Sequence, residues 1–236
     1  MGTTPADSSS SRRSFLLTSV ATSSVLGLSA CNAAGPVAHD EHEPAELEVS
    51  ATEDLMREHG VLERLLLIYE ESARRASGAG DFDPKFVTQA AAIVRRFIED
   101  YHEKLEENFI FPRVETIAQH APLIAALRAQ HIAGRRVTDE IQALASGAAG
   151  DHAALSLRIQ AFSRMYRPHA AREDTVVFPA LRELLGAHEL DELGEAFEEE
   201  EHRRFGEHGF EEVVAEVSAL EVQLGIADLA RFTASS

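Results

Sequence analysis

From about residue 50 onward, apolar residues recur every three to four positions, the spacing of helices that bury one face. The sequence lacks the alternation of apolar and polar residues that indicates a half-buried strand. Short segments rich in glycine, proline and aspartate interrupt the helical pattern near residues 78–84, 112–122 and 147–151. The pattern therefore predicts an all-α chain whose core, over 50–186, is an antiparallel four-helix bundle.

Each of the four predicted helices carries one apolar stripe, and a histidine occupies a position within each stripe. Asp83 with Pro84, Pro122, and Asp151 supply the residue types that open helices two, three and four. In chain order the stripes contain Leu55, His59, Leu62, Leu66 and Tyr69; Phe86, Ile98, His102 and Glu106; Ile124, Leu127, His131 and Ile141; and Leu155, Phe162, Met165, His169 and Glu173. Because the stripes face the bundle axis, we expect the four histidines to converge there.

One or two further helices are predicted in residues 187–236, as an extension packed on the outside of the bundle. Their acidic residues, including the run from Glu198 to Glu201, are best explained as a solvated face. The apolar residues expected to contact the bundle are Leu190, Leu193, Phe197, Val213, Val217, Leu220 and Leu224.

A motif of eleven residues occurs twice, as HEKLEENFIFP over 102–112 and HAAREDTVVFP over 169–179. Both copies have a histidine, a glutamate four residues later, and Phe-Pro at the end. Residues four apart share one face of a helix, so each copy can present an imidazole and a carboxylate to one point. The prolines, Pro112 and Pro179, predict that both helices bend or stop just beyond these side chains.

Adding the histidines of the first and third helices gives six candidate metal ligands, namely His59, His102, Glu106, His131, His169 and Glu173. Imidazoles and carboxylates without a thiolate suit iron, manganese or zinc. Six ligands are too many for one catalytic zinc ion, which usually takes three from the protein. We therefore expect two metal ions bridged by the two glutamates.

The order and spacing of these six residues resemble the hemerythrin-like (HHE cation-binding) family, over roughly residues 50–185. Ferritin-like bundles instead use Glu-x-x-His and four glutamates. The resemblance implies two iron ions with an oxo or hydroxo bridge, in preference to zinc or manganese. It also implies that the chain binds or senses dioxygen, nitric oxide or peroxide, while the alternatives are a diiron redox enzyme or a helical protein with vestigial ligands.

The sequence departs from the oxygen-carrying members, for which the resemblance implies a further histidine four residues after His131. Arg135 stands at that position. His202 is the candidate replacement if the C-terminal helix closes one end of the bundle, and the alternative is that His202 lies on the surface. Tyr166 shares the face of His169, where it either packs in the core or takes part in electron transfer. Gly134 is expected to leave room for a diatomic ligand.

The first 30 residues predict an export signal. Arg12 and Arg13 precede Phe-Leu-Leu and an apolar run, which resembles a twin-arginine signal, and Leu28 to Cys31 resembles a lipobox. Cys31, the only cysteine, would carry the lipid, and residues 31–49 read as an acidic flexible tether. A formal net charge of −18 argues against nucleic acid as a partner. We thus expect an envelope or periplasmic protein held at the membrane by its N-terminal lipid, with an unknown redox partner.

Overall fold

A computed structural model describes residues 49–147 and 151–234. The predicted export signal, Cys31 and all but the last residue of the tether lie outside these ranges. Inside them the regular structure is helical, which confirms the predicted all-α class. None of the helices in the described ranges combines the length and apolar composition needed to cross a bilayer.

Six helices make up most of the part of the chain that the structure describes. α1 spans Ala51–Arg74, α2 runs over residues 84–114, α3 spans Ala121–Ser146, α4 runs over residues 152–184, α5 spans Ala187–Phe205 and α6 spans Gly209–Leu224. The side chains of Ser50, Asp83 and Asp151 cap α1, α2 and α4 by accepting hydrogen bonds from first-turn amides. Beyond α1 the chain turns at Gly78, whose φ of 94° is in the left-handed region that glycine adopts without strain.

α2 and α4 both widen from α-helical to π-helical geometry at the repeated motif. α2 is α-helical over Pro84–Ile93, Glu103–Leu105 and Phe111–Val114 and π-helical over Val94–His102 and Glu106–Ile110, while α4 is α-helical over His152–Arg172 and Phe178–Leu184 and π-helical over Glu173–Val177. The Phe111 amide donates to the Glu106 carbonyl, and the Phe178 amide donates to the Glu173 carbonyl. The repeat in sequence is therefore also a repeat in backbone geometry.

These wide turns modify the expectation that both helices bend or stop at their prolines. α2 ends at Val114, soon after Pro112, but α4 continues through Pro179 to Leu184. A π-helical turn displaces the carbonyl ladder by one residue, so the missing N–H of the proline falls where the α-helical pairing is already interrupted. Such turns are frequent at functional sites.

The first four helices form a closed bundle, since α1 and α3 each pack against both α2 and α4. The last segments of α2 and α4, Phe111–Val114 and Phe178–Leu184, contact each other, so these two helices finish at the same end of the bundle. That arrangement is the up-down-up-down topology favoured by short connections.

α5 and α6 pack outside the bundle, where both contact α1 and α6 also contacts α2. Of the apolar residues expected at this contact, Leu190 is partly buried, and the others, Leu193, Phe197, Val213, Val217, Leu220 and Leu224, are buried.

Candidate metal centre

The structure brings the six candidate ligands together inside the bundle. His59, His102, His131 and His169 come from four different helices, and each is at most 4% exposed. Ligand atoms of Glu106, His131, His169 and Glu173 lie within 4.8 Å of one another, as do those of His59, His102 and Glu106. Glu106 belongs to both groups and therefore joins them.

The four imidazoles form two pairs. The Nε2 atoms of His59 and His102, on α1 and α2, are 3.0 Å apart, and those of His131 and His169, on α3 and α4, are also 3.0 Å apart. Every ring thus turns its Nε2 atom toward the bundle axis. Four buried imidazole nitrogens that converge on one place can all be satisfied by metal ions. Core packing alone gives no reason to bring these polar atoms together.

Two carboxylates lie between the pairs. Glu106 Oε2 is 3.6 Å from His102 Nε2 and 3.5 Å from His131 Nε2, so it touches one ring of each pair. Glu173 does the same, with Oε2 3.4 Å from His59 Nε2 and Oε1 3.0 Å from His169 Nε2. Their four oxygens are buried without a hydrogen bond of acceptable geometry. Buried carboxylate oxygens of this kind are normally satisfied, so the donor set fits two bridged metal ions.

The outer nitrogen of each histidine is held by a separate acceptor. His59 Nδ1 lies 2.7 Å from Asp174 Oδ1, and His102 Nδ1 lies 2.7 Å from Glu58 Oε2. The other two partners are Glu107 Oε1, 3.1 Å from His131 Nδ1, and Gln130 Oε1, 2.8 Å from His169 Nδ1. With Nδ1 occupied in this way, each ring is fixed in the orientation that leaves Nε2 free for a metal.

The phenylalanines of the repeated Phe-Pro pair cover the histidines contributed by other helices. Phe111 stacks on His131 with ring centroids 5.3 Å apart and an interplanar angle of 24°. Phe178 stacks on His59 with centroids 5.7 Å apart and an angle of 14°. Each copy of the motif therefore supplies two ligands and one apolar cover, which limits the access of water to the pair.

Burial and neighbouring charges shift the pKa values of the candidate ligands in different directions. It lowers the pKa of His131 to about 4 and the pKa of His102 well below its usual value. Burial acts in the same direction on His59, but the hydrogen bond to Asp174 and the contact with Glu173 raise its pKa to about 9. Burial and the neighbouring Glu173 raise the pKa of Glu106, whereas the histidines beside Glu173 lower its pKa despite burial. In the metal-free protein at neutral pH, His59 is therefore protonated and His131 is neutral.

A polar network extends from His131 away from the histidine centre. Arg135 Nη2 donates to Glu107 Oε1 at 2.7 Å and to Glu103 Oε2 at 2.6 Å. The buried Tyr166 hydroxyl donates to Glu103 Oε1 at 2.6 Å, and burial together with Glu103 raises the pKa of this phenol, which stays neutral. Arg135 stands four residues after His131, where the resemblance to the oxygen-carrying members implies a further histidine. Its hydrogen bonds link Glu107, the partner of His131, to Glu103, the partner of Tyr166.

The expectation that Gly134 leaves room for a diatomic ligand is wrong. A β-carbon at this position would lie 2.7 Å from Cζ and 2.9 Å from Cε2 of Tyr166, and closer still to the hydroxyl oxygen. Distances below 3.0 Å are essentially never observed for a real β-carbon. The space at Gly134 is already taken by the Tyr166 side chain, so it does not directly accommodate a small ligand.

His202 does not join the other candidates. It is half-buried on α5, and among the described residues none of the groups of potential ligands includes it. Its neighbour Glu201 is buried and lies within ligand distance of Asp54 and Glu58. Successive residues on a helix point about 100° apart, so a helix that turns Glu201 inward turns His202 away.

Comparisons with known proteins agree with this geometry. Residues 50–181 match the family model described as the Hemerythrin HHE cation binding domain. Uncharacterized proteins of Mycobacterium bovis and of two Mycobacterium tuberculosis strains are 46% identical over 232 residues, covering 95% of this chain and 91% of each relative. No solved structure matches the chain. The matched segment contains all six convergent residues, and the chain belongs to the hemerythrin HHE cation-binding domain family.

Proposed function

We propose that this chain is a non-haem diiron protein that binds or senses dioxygen or a related small oxidant, either nitric oxide or peroxide. The observation that supports the proposal best is the pair of buried carboxylates, Glu106 and Glu173, each touching one imidazole of both histidine pairs. Two ions, one per histidine pair, use all six ligands. Within the described ranges, no group of ligand atoms within 4.8 Å of one another contains all six residues, so a single ion would leave at least one buried imidazole or carboxylate without a metal partner.

The ligand types favour iron over zinc or manganese. Imidazole suits iron and zinc, but each ion here would have two imidazoles and one oxygen from each bridging glutamate, which is four protein ligands, whereas a catalytic zinc ion normally takes three. Manganese prefers sites richer in oxygen. Two ferrous ions would supply two electrons and an open coordination position to a small oxidant. The histidines hold such ions without cancelling their charge, and the stacked rings of Phe111 and Phe178 keep bulk water from the centre.

A diiron redox enzyme that degrades peroxide, handles nitric oxide or oxidises iron is the second candidate. Tyr166 favours it, because this buried side chain lies with its ring centroid 5.5 Å from that of His169 and donates a hydrogen bond to Glu103. A buried phenol beside a carboxylate is suited to moving an electron and a proton together. The carrier or sensor proposal instead predicts that oxidation is reversible.

We propose further that the protein is exported by a twin-arginine route and anchored in the cell envelope through a lipid on Cys31. The support is Arg12-Arg13 and Leu28 to Cys31 in the sequence. Membrane contact would then depend on the lipid, because the strongly acidic chain is repelled by anionic lipid headgroups and by nucleic acid.

The test is to load the full chain with ferrous iron under anaerobic conditions, measure iron per chain, and record the absorption spectrum as oxygen is added and removed. We expect two iron ions per chain and a band that appears and disappears reversibly. Irreversible oxidation, or catalytic loss of added peroxide, would favour the enzyme. His131→Gln should lower iron binding, and His188→Gln is the matched control because the His188 side chain is 87% exposed. Wild-type chain that binds no iron would contradict both candidates.

A further inference from the structure

The two histidine pairs differ in the groups that hold their outer nitrogens. In the α1–α2 pair, both rings contact carboxylates, with Asp174 beside His59 and Glu58 beside His102, each at 2.7 Å. The pair is therefore supported by two carboxyl groups. Asp174 is the more accessible of the two, since its side chain is 32% exposed and that of Glu58 is 1% exposed.

The α3–α4 pair has a less negative support. His169 contacts the neutral amide oxygen of Gln130 at 2.8 Å. His131 contacts Glu107, but the same carboxylate also accepts from Arg135 at 2.7 Å and from Lys104 at 2.5 Å. The negative charge that reaches His131 is therefore shared with two cations.

An anionic acceptor at Nδ1 makes an imidazole a stronger electron donor at Nε2, and removing such a partner typically weakens metal binding by about 10–100-fold. Glu106 and Glu173 touch both pairs and so do not distinguish them. We infer that the two metal positions are inequivalent: once the proton of His59 has been displaced, the His59–His102 position holds a divalent ion more tightly than the His131–His169 position does. This inference rests on the proposed two-ion site.

Asp174 and Gln130 are the positioning residues that allow a direct test, because acid and amide side chains of equal size can be exchanged at both places. Asp174→Asn keeps an acceptor for His59 but removes its charge, so it should weaken the tighter binding step by about 10–100-fold. Gln130→Glu adds a charge beside His169 and should strengthen the weaker step by about tenfold. Glu140→Gln removes a half-exposed charge, paired with Arg158 on the surface, and serves as the control that leaves both steps unchanged.

The measurement is an anaerobic titration of the full chain with ferrous iron against a chromophoric chelator at several pH values, which gives the affinity of each step free of proton competition, together with the melting temperature of each metal-free variant. The inference is supported if Asp174→Asn weakens only the tighter step, Gln130→Glu strengthens only the weaker step, and the metal-free melting temperatures stay unchanged. Loss of affinity in the weaker step for Asp174→Asn, or an equal change in both steps, overturns it while leaving the diiron proposal intact. Wild-type chain that takes no more than one ion at saturating iron refutes the diiron site and the inference with it.

Discussion

Gly134→Ala is the substitution whose effect is best determined by the structure. Gly134 lies inside α3, where alanine would ordinarily stabilise the helix by about 0.5–1 kcal/mol. Here the new methyl group would meet the Tyr166 ring at 2.7 Å and 2.9 Å, and Tyr166 is only 1% exposed. The ring must therefore move, and its hydroxyl leaves Glu103.

The expected cost follows from three contributions. Overpacking a buried position costs about 1–3 kcal/mol, and leaving a buried polar group without its hydrogen-bond partner costs about 1–3 kcal/mol. Arg135 remains on Glu103, which reduces the second contribution to the low end of that range. After the helical gain of alanine is subtracted, we expect the free energy of unfolding to fall by about 1–3.5 kcal/mol, a large part of the stability of a typical domain.

The assay is urea unfolding of the metal-free full chain, followed by circular dichroism. Gly60→Ala is the matched control, because Gly60 is exposed on α1 and a β-carbon added there would meet nothing within 4 Å, so this variant should be slightly stabilised. In a Tyr166→Phe background, which lacks the hydroxyl, the cost of Gly134→Ala should be smaller by about 1 kcal/mol. A Gly134→Ala protein as stable as Gly60→Ala would refute the packing described for Tyr166.

The remaining predictions concern the metal centre. His202→Gln should leave the iron content of the chain unchanged, whereas Glu173→Gln should reduce it, as elemental analysis of the loaded variants would show. Metal binding at pH 7 should release protons, one of them from His59, and the release should decline as pH rises past about 9, where His59 is already neutral; calorimetry in buffers of different ionisation enthalpy measures this. Iron at 100 times the dissociation constant of a site should stabilise the protein by about 2.7 kcal/mol for each occupied site, and a chelator should abolish that gain in a thermal melt.

The fold and the convergent residues were accessible from sequence because both depend on helical periodicity. His59, His102, His131 and His169 fall on the apolar stripes, so the same spacing that predicts the bundle also predicts that they meet. The repeat of His and Glu at four-residue spacing adds the two carboxylates.

The supporting groups were harder to foresee because they depend on which neighbouring helix each ring faces. Asp174 and Glu107 directly follow Glu173 and Glu106 along the chain, and this adjacency was the available signal. Each of them supports a histidine on another helix, which periodicity within one helix does not reveal. Gln130, next to His131 in sequence, likewise supports His169 on α4.

The misplaced expectations have a common physical cause. Gly134 was expected to leave room for a diatomic ligand, and His202 was a candidate metal ligand. Judging either expectation requires knowing which side chains fill the surrounding volume. The Tyr166 side chain takes the space at Gly134, and the rotation of α5 presents Glu201 in place of His202. Such details are fixed by side-chain packing between helices, which pattern alone leaves open.

Diffraction from crystals of the iron-loaded protein, with data collected at the iron absorption edge, tests the central proposal most directly. Two anomalous peaks about 3.5–4 Å apart are expected, one beside His59 and His102 and one beside His131 and His169, with Glu106 and Glu173 between them. A single peak shared by all four histidines, or peaks that lie away from them, would contradict the diiron assignment.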